Sequence, residues 1–192
     1  MAIITLNNNS LSSVTSLPTG VGNGLVKIAS QTVSSDVTNL VFDNTVITGY
    51  SSYLCRLENV SGVTNPATLR MQFSTDNGST FLSTVDNFNE YHQIDGLNNG
   101  RNNYTSQSYV TLSINQGNED EGMNAVIELY NLNSSTLQKH GHYMLSYKHD
   151  NDYYQYQGGF AVKTTTAINA LRFNFSAGDI DAGKFSIYGV RT

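Results

Sequence analysis

The chain has 192 residues, a length typical of one domain, and carries a net charge of −5 at pH 7 with a pI near 5.2. We expect neither nucleic acid nor a membrane as a partner, because both require a basic surface, and no stretch approaches the roughly 18 apolar residues of a membrane helix. Only 13% of the residues are charged, whereas Asn, Ser and Thr fill about a third of the chain, a composition that favours turns and strands over helices.

The first predicted element is an N-terminal arm, residues 1–23, ahead of a main domain at residues 24–192. Asn and Ser interrupt its weak apolar pattern, and the stretch from Pro18 to Gly24 forms a flexible joint. An arm that keeps apolar residues can add an edge strand to a neighbouring protein, whereas the alternative interpretation is a frayed terminus. The candidate interface residues of the arm are Ile3, Ile4, Leu6, Leu11, Val14 and Leu17.

The main domain shows apolar residues at a spacing of two, which places alternate side chains on opposite faces of a β-sheet. This alternation is clear in five segments, residues 69–73, 110–114, 143–147, 171–175 and 185–187. Apolar runs predict further strands at residues 25–28, 40–42, 53–60, 125–130 and 153–162. Many short strands predict an all-β, two-sheet antiparallel β-sandwich with a jelly-roll-like order, although the sequence does not fix the strand order.

Turn signals separate these strands. The strongest is Asp76-Asn77-Gly78, which predicts a hairpin. Weaker glycine-containing signals occur at residues 98–100, 117–118, 158–159, 176–179 and 181–183. We therefore expect interruptions in the middle of the chain at the first three of these positions and a last turn bracketed by residues 176–179 and 181–183.

Cys55 is the single cysteine, so no disulfide can form within the chain. It alternates with Tyr53 and Leu57, a pattern typical of one buried strand face. We favour a small buried side chain over a reactive thiol, because a reactive thiol requires an electropositive and accessible site.

Residues 74–81 match the Asp-box pattern, S-x-D-x-G-x-T followed by an aromatic residue. This pattern resembles a hairpin of sialidase-type propellers, in which it recurs once per blade. Here it occurs once, without a set of arginines that would hold an acidic sugar. We therefore interpret it as a stable hairpin, in which Asp76 accepts backbone hydrogen bonds and Gly78 takes a positive φ.

His140 and His142 are weak candidates for metal ligands, since residues two apart on a strand face the same way. A third ligand would have to come from the residues that follow, His149, Asp150 or Asp152. We favour the alternative that residues 139–142 form a solvent-facing strand or a polar contact between subunits. The acidic residues 119–121 are interpreted as a solvated loop, because the alternating ligands of a calcium loop are absent.

No nucleophile elbow, P-loop, dinucleotide fingerprint or zinc-protease motif occurs in the chain. We therefore expect no enzymatic activity and no cofactor. Tyr153, Tyr154 and Tyr156 form the remaining cluster with chemical character. A tyrosine has an apolar ring and a polar hydroxyl, so such a cluster suits a subunit interface, a sandwich core or sugar stacking.

The C-terminal residues 164–180, continued by residues 182–190, resemble the end of small structural proteins of tailed phages, particularly aquatic ones. Three other pieces look similar: Phe42 to Asn44 with Tyr50 and Tyr53, residues 73–80, and Ile4 to Asn8 followed by Leu17-Pro18. The resemblance therefore touches most of the chain. It implies a virion protein, either a head decoration (cement) protein or a tail-fibre tip, and it transfers no catalytic residue.

The leading hypothesis is a capsid decoration protein on the outer surface of the virion. We expect a homotrimer, in which the arm ties the jelly roll to a neighbour or to the major capsid protein. The compact chain beginning at Met1 shows no adaptor or shaft typical of a tail fibre. The alternative is a fibre tip or lectin-like module that binds host-surface glycan through Tyr153, Tyr154 and Tyr156. A polysaccharide depolymerase is the third hypothesis, and the single Asp box is its only support.

Overall fold

The computed structural model describes residues 24–94, 96, 98–113, 122–149 and 152–190, and it is all-β over these residues. The predicted arm, residues 1–23, lies outside them, as do the candidate turn at residues 117–118 and the acidic residues 119–121. No helix that could cross a membrane occurs in the described part of the chain. The strands are β1 Leu25–Val33, β2 Leu40–Phe42, β3 Ser52–Gly62, β4 Leu69–Ser74, β5 Val85–Gln93, β6 Asn99–Gln107, β7 Val110–Thr111, β8 Met123–Tyr130, β9 Lys139–His149, β10 Asp152–Val162, β11 Ala170–Phe175 and β12 Ile180–Val190.

The strands form two antiparallel sheets, which confirms the predicted β-sandwich. The larger sheet has the order β1-β12-β3-β8-β9-β10-β5-β6, and the smaller sheet has the order β2-β11-β4-β7. Eight strands have the nested pairing of a jelly roll, in which strands from the two ends of the chain pair with each other and enclose the pairs between them. These pairs are β1 with β12, β2 with β11, β3 with β8 and β4 with β7. The remaining strands, β5, β6, β9 and β10, extend the larger sheet beyond β8.

The core lies between the two sheets. It contains aromatic contacts between Phe42 and Phe173, with ring centroids 6.4 Å apart, and between Phe173 and Phe185 at 5.4 Å. The predicted alternation is confirmed most clearly in β9, where every second side chain from 139 to 147 is buried. Cys55 is fully buried, as predicted, and this burial raises the pKa of its thiol.

Lys139 is the one charged residue among the buried residues of the described part of the chain, and its side chain has no solvent exposure. Its Nζ donates hydrogen bonds to the carbonyls of Ser134 at 2.6 Å, Leu137 at 2.7 Å and Thr165 at 2.9 Å. One ammonium group therefore joins the β8–β9 and β10–β11 connections. The prediction that residues 139–142 form a solvent-facing strand is wrong for Lys139 and Gly141, which face inward, and correct for His140 and His142.

The Asp76-Asn77-Gly78 turn forms, but it does not make a hairpin. Asn77 and Gly78 take positive φ values of 62° and 87°. The flanking strands β4 and β5 belong to different sheets, so the turn connects the two layers instead of two paired strands.

Three other predicted interruptions lie inside strands. Residues 99–100 belong to β6, residues 158–159 to β10 and residues 181–183 to β12. The reason for two of these glycines is a close aromatic ring. A Cβ at position 158 would lie 2.5 Å from the hydroxyl oxygen of Tyr143, and one at position 100 would lie 2.6 Å from that of Tyr91. Gly183 has a φ of 132°, where the register of β12 against β3 shifts.

Candidate functional site

A pocket of about 200 Å³ lies on the inner face of the larger sheet, on the part formed by β5, β6, β9 and β10. This is the face that carries Tyr143, whose hydroxyl donates a hydrogen bond to the carbonyl of Thr111 in the smaller sheet. We call it the tyrosine pocket, and its lining residues are Tyr91, Asn98, Asn102, Tyr147, His149, Tyr154 and Tyr156.

The four tyrosines of the pocket pack ring against ring. Tyr91 and Tyr156 have centroids 5.3 Å apart, Tyr156 and Tyr147 are 5.5 Å apart, and Tyr147 and Tyr154 are 5.8 Å apart. The antiparallel register produces this row, because it places Tyr156 opposite Tyr91 and Tyr154 opposite Tyr147. Each ring therefore packs against a ring of a neighbouring strand.

The polar groups among the described lining residues are phenol hydroxyls, side-chain amides and the imidazole of His149, and no Asp, Glu, Lys or Arg is among them. Burial raises the pKa of Tyr156 to about 12, so its hydroxyl keeps its proton at physiological pH. The side-chain nitrogen of Asn102 donates to the amide oxygen of the fully buried Asn89 at 3.0 Å, which fixes the orientation of Asn102. The wall thus offers hydroxyl and amide groups that both donate and accept hydrogen bonds.

The predicted tyrosine cluster is divided between the two faces of the sheet. Tyr154 and Tyr156 line the pocket, whereas Tyr153 points to the opposite face and is 51% exposed. Sequence reasoning missed Tyr91 and Tyr147, because they come from β5 and β9 and reach the cluster only through strand pairing. The six apolar candidate residues of the arm lie outside the described residues.

The opposite side of the larger sheet carries a second feature, which we call the outer face. Val126 and Met144 are cross-strand neighbours, 43% and 52% exposed, and Phe88 is 40% exposed on β5. A depression of about 460 Å³ lies beside Phe88, with backbone around Gly141 and Gly159 in its lining. The Arg101 guanidinium lies 5.4 Å from the Phe88 ring centroid. The outer face therefore carries exposed apolar side chains next to a depression with a mainly apolar lining.

The two histidines predicted as weak metal candidates also lie on the outer face. The Tyr130 ring stacks on both, with centroid distances of 5.2 Å to His140 and 5.9 Å to His142. The Nε2 atom of His142 lies 3.8 Å from a carboxylate oxygen of Glu128. His149 cannot supply the third ligand, because it lies in the tyrosine pocket on the other side of the sheet. Among the described residues no group of three potential ligands gathers, and Asp150 lies outside them.

The Asp-box segment is a self-contained turn. The carboxylate of Asp76 accepts hydrogen bonds from the Thr80 backbone at 2.8 Å, the Thr80 hydroxyl at 2.6 Å and the Ser74 hydroxyl at 2.7 Å. These bonds, with those to Thr80 contributing most, lower the pKa of the Asp76 carboxyl to about 2. Asn169 connects the turn to the rest of the sandwich by accepting from the Asn77 backbone at 2.8 Å. The predicted hydrogen bond of Asp76 and positive φ of Gly78 are thus confirmed, whereas the predicted hairpin is wrong, because β4 and β5 lie in different sheets.

No protein-family model matches the chain, and no curated protein matches it. Comparison with solved structures finds the catalytic domain of an endo-1,3-beta-glucanase (laminarinase) from Thermotoga petrophila RKU-1. The identity is 10%, the match covers 89% of this chain and 79% of that chain, and the TM-score is 0.27. A similarity of this degree carries no argument about function.

Proposed function

We propose that this chain is a non-catalytic structural protein on the outer surface of a phage virion, and specifically a head decoration protein. The proposal that the chain belongs to a virion rests on the sequence resemblance. The outer face of the larger sheet supports its role in assembly, because exposed apolar side chains in the middle of a broad sheet are typical of a protein–protein contact.

The composition of the outer face supports burial against another protein. One cross-strand row runs Val126, Met144 and Gln157, and its charged members, Arg56 and Glu90, stand to either side of these three. Within this row an uncharged centre is flanked by charges of both signs, a pattern typical of a specific interface. Glu128 and His142 lie beside the row on the same two central strands. The depression beside Phe88 can receive an apolar side chain from the partner.

The size of the outer face is sufficient for a stable contact. Eight strands spaced about 4.8 Å apart, each about nine residues long at about 3.3 Å per residue, give roughly 1,100 Å². A stable interface requires about 800 Å² on each partner. We propose a second copy of this chain as the occupant and a closed ring of three copies as the assembly, in which the outer face of each copy contacts a different surface of the next. The exposed ion pairs Arg56–Glu58 at 3.3 Å and Arg101–Glu90 at 3.9 Å lie within one chain and can exchange partners with charged groups of the next copy.

Light scattering coupled to size-exclusion chromatography tests this assembly. We expect wild-type protein at three times the 21.0 kDa mass of one chain. Met144→Asp places a carboxylate in the middle of the contact, where burying an unpaired charge costs several kcal/mol, and we expect a monomer. Leu137→Asp is the matched control, because Leu137 is 55% exposed in the β8–β9 connection. A monomeric wild-type protein, or equal masses for the three proteins, would contradict the proposal.

Recognition of host-surface glycan is the second candidate function, and the tyrosine pocket is the observation that favours it. The pocket combines aromatic rings with neutral hydrogen-bonding groups, a combination suited to sugars. Two of its residues, Tyr154 and Tyr156, come from the cluster that the sequence predicts for this role.

A further inference from the structure

We propose that the tyrosine pocket binds one uncharged sugar ring, as the terminal residue of a glycan or as a free monosaccharide. This inference deepens the second candidate function by naming the site and the chemical class of the ligand. It is independent of the outer face, which lies on the opposite side of the sheet.

The volume of the pocket sets the size of the ligand. At about 200 Å³ it is smaller than the roughly 300–1,000 Å³ of pockets that hold drug-sized molecules. A site of this size is too small for an oligosaccharide and suits a single pyranose ring. A longer oligosaccharide therefore has to enter by its end.

The chemistry of the wall selects a neutral ligand. Phenol hydroxyls, side-chain amides and an imidazole each donate and accept, as sugar hydroxyls do. No arginine or lysine is among the described lining residues to hold a carboxylate or phosphate, and no acidic residue is there to hold an amine.

The arrangement of the rings favours binding without reorganisation. Tyr147 and Tyr156 are only 4% and 3% exposed, so the inner rings of the row are fixed by packing. Tyr91 and Tyr154 end the row, are half-buried and line the cavity. A preformed wall does not have to lose conformational freedom when the ligand binds, which is the main advantage of a rigid site.

Saturation-transfer NMR with single sugars is the direct test. The neutral probes are glucose, galactose, mannose, fucose and N-acetylglucosamine, and the anionic probes are glucuronic acid and sialic acid. We expect signals from at least one neutral probe and none from the anionic probes. Equal or stronger binding of an anionic probe would overturn the neutral class, and absence of binding by every neutral probe would overturn the site.

Two neighbouring tyrosines supply a matched pair of variants. Tyr154→Ala removes a ring from the pocket and should abolish the signal, whereas Tyr153→Ala removes a ring from the opposite face and should leave it unchanged. Tyr91→Phe keeps the ring and removes one hydroxyl, so affinity should fall about threefold to tenfold even if Tyr154→Ala folds poorly. Binding that survives both pocket variants would contradict the proposal.

The mass measurement described for the outer face separates the two proposals. Sugar binding by a monomeric protein would support the pocket and contradict assembly through the outer face. A trimer without sugar binding would do the reverse.

Discussion

Replacement of Lys139 by methionine tests how much one buried ammonium contributes to the free energy of unfolding. The side chain donates three hydrogen bonds to carbonyls of two different connections, at 2.6 to 2.9 Å. Methionine is similar in length but donates none of them. The substitution therefore separates the hydrogen bonds of Lys139 from the packing of its aliphatic part.

The expected magnitude follows from opposing contributions. Hydrogen bonds from a charged donor contribute about 1.5–3 kcal/mol each, so three contribute roughly 5–9 kcal/mol. Desolvation of the ammonium offsets several kcal/mol of this, and burial correspondingly lowers the pKa of Lys139. Ser134 and Thr165 are not fully buried, so water satisfies part of the carbonyls left behind. We expect a net loss of about 2–4 kcal/mol.

Urea unfolding measures this loss as a lower midpoint with an unchanged slope. Lys163→Met is the matched control. The Lys163 side chain is 50% exposed, and its Nζ lies 2.5 Å from a carboxylate oxygen of Asp86. Such a surface ion pair contributes about 1 kcal/mol or less to the free energy of unfolding. A Lys139→Met protein within about 1 kcal/mol of wild type would refute the reasoning, because it would mean that desolvation cancels all three hydrogen bonds.

Two further substitutions test the Asp76 turn and the packing of β10 against Tyr143. The Asp76 carboxyl has a folded-state pKa of about 2 against an ordinary 3.8. Its contribution to the free energy of unfolding is therefore present above pH 3.8 and is lost as the pH falls towards 2. Acid titration of wild type and Asp76→Asn, followed by circular dichroism, should show this loss only in the wild type, and parallel curves would contradict the prediction. Gly158→Ala should lower the free energy of unfolding in urea by about 3 kcal/mol, because the new Cβ meets the Tyr143 hydroxyl at 2.5 Å. Gly24→Ala, which has no atom within 4 Å, should change it by less than about 0.5 kcal/mol, and equal effects of the two substitutions would contradict the packing argument.

The strands that bury one apolar face could be predicted from the sequence. The predicted segments at residues 40–42, 69–73 and 171–175 agree with β2, β4 and β11 because apolar alternation is a local property of the chain. The jelly-roll order was predicted as a class, although the sequence left the order of individual strands open. The structure gives that order through the nested pairing of β1 with β12 and of β2 with β11.

The polar strands could not be predicted in the same way. β5 and β6 are rich in Asn, Gln and Tyr, and their buried positions include Asn87 and Asn89 in place of aliphatic residues. One side-chain atom of each has a partner outside its own strand: the Asn87 amide nitrogen donates to the Tyr109 carbonyl at 3.1 Å, and the Asn89 amide oxygen accepts from Asn102 at 3.0 Å. A pattern based on apolar periodicity does not register such strands.

The candidate site was only partly visible for a related reason. Tyr154 and Tyr156 are adjacent in the pattern of β10, and the sequence groups them with Tyr153 because all three are close in the chain. Alternate residues of a strand point to opposite faces of the sheet, so Tyr153 lies on the face opposite the pocket. Tyr91 and Tyr147 replace it through the register of β5 and β9 against β10, which sequence spacing does not encode.

Cryo-electron microscopy of intact particles that carry this protein tests the proposed decoration role most directly. We predict jelly-roll density over the capsomers, with the outer face of the larger sheet against a neighbouring copy and residues 1–23 reaching an adjacent subunit. Density confined to the tail, or absence of the protein from the head, would contradict the proposal.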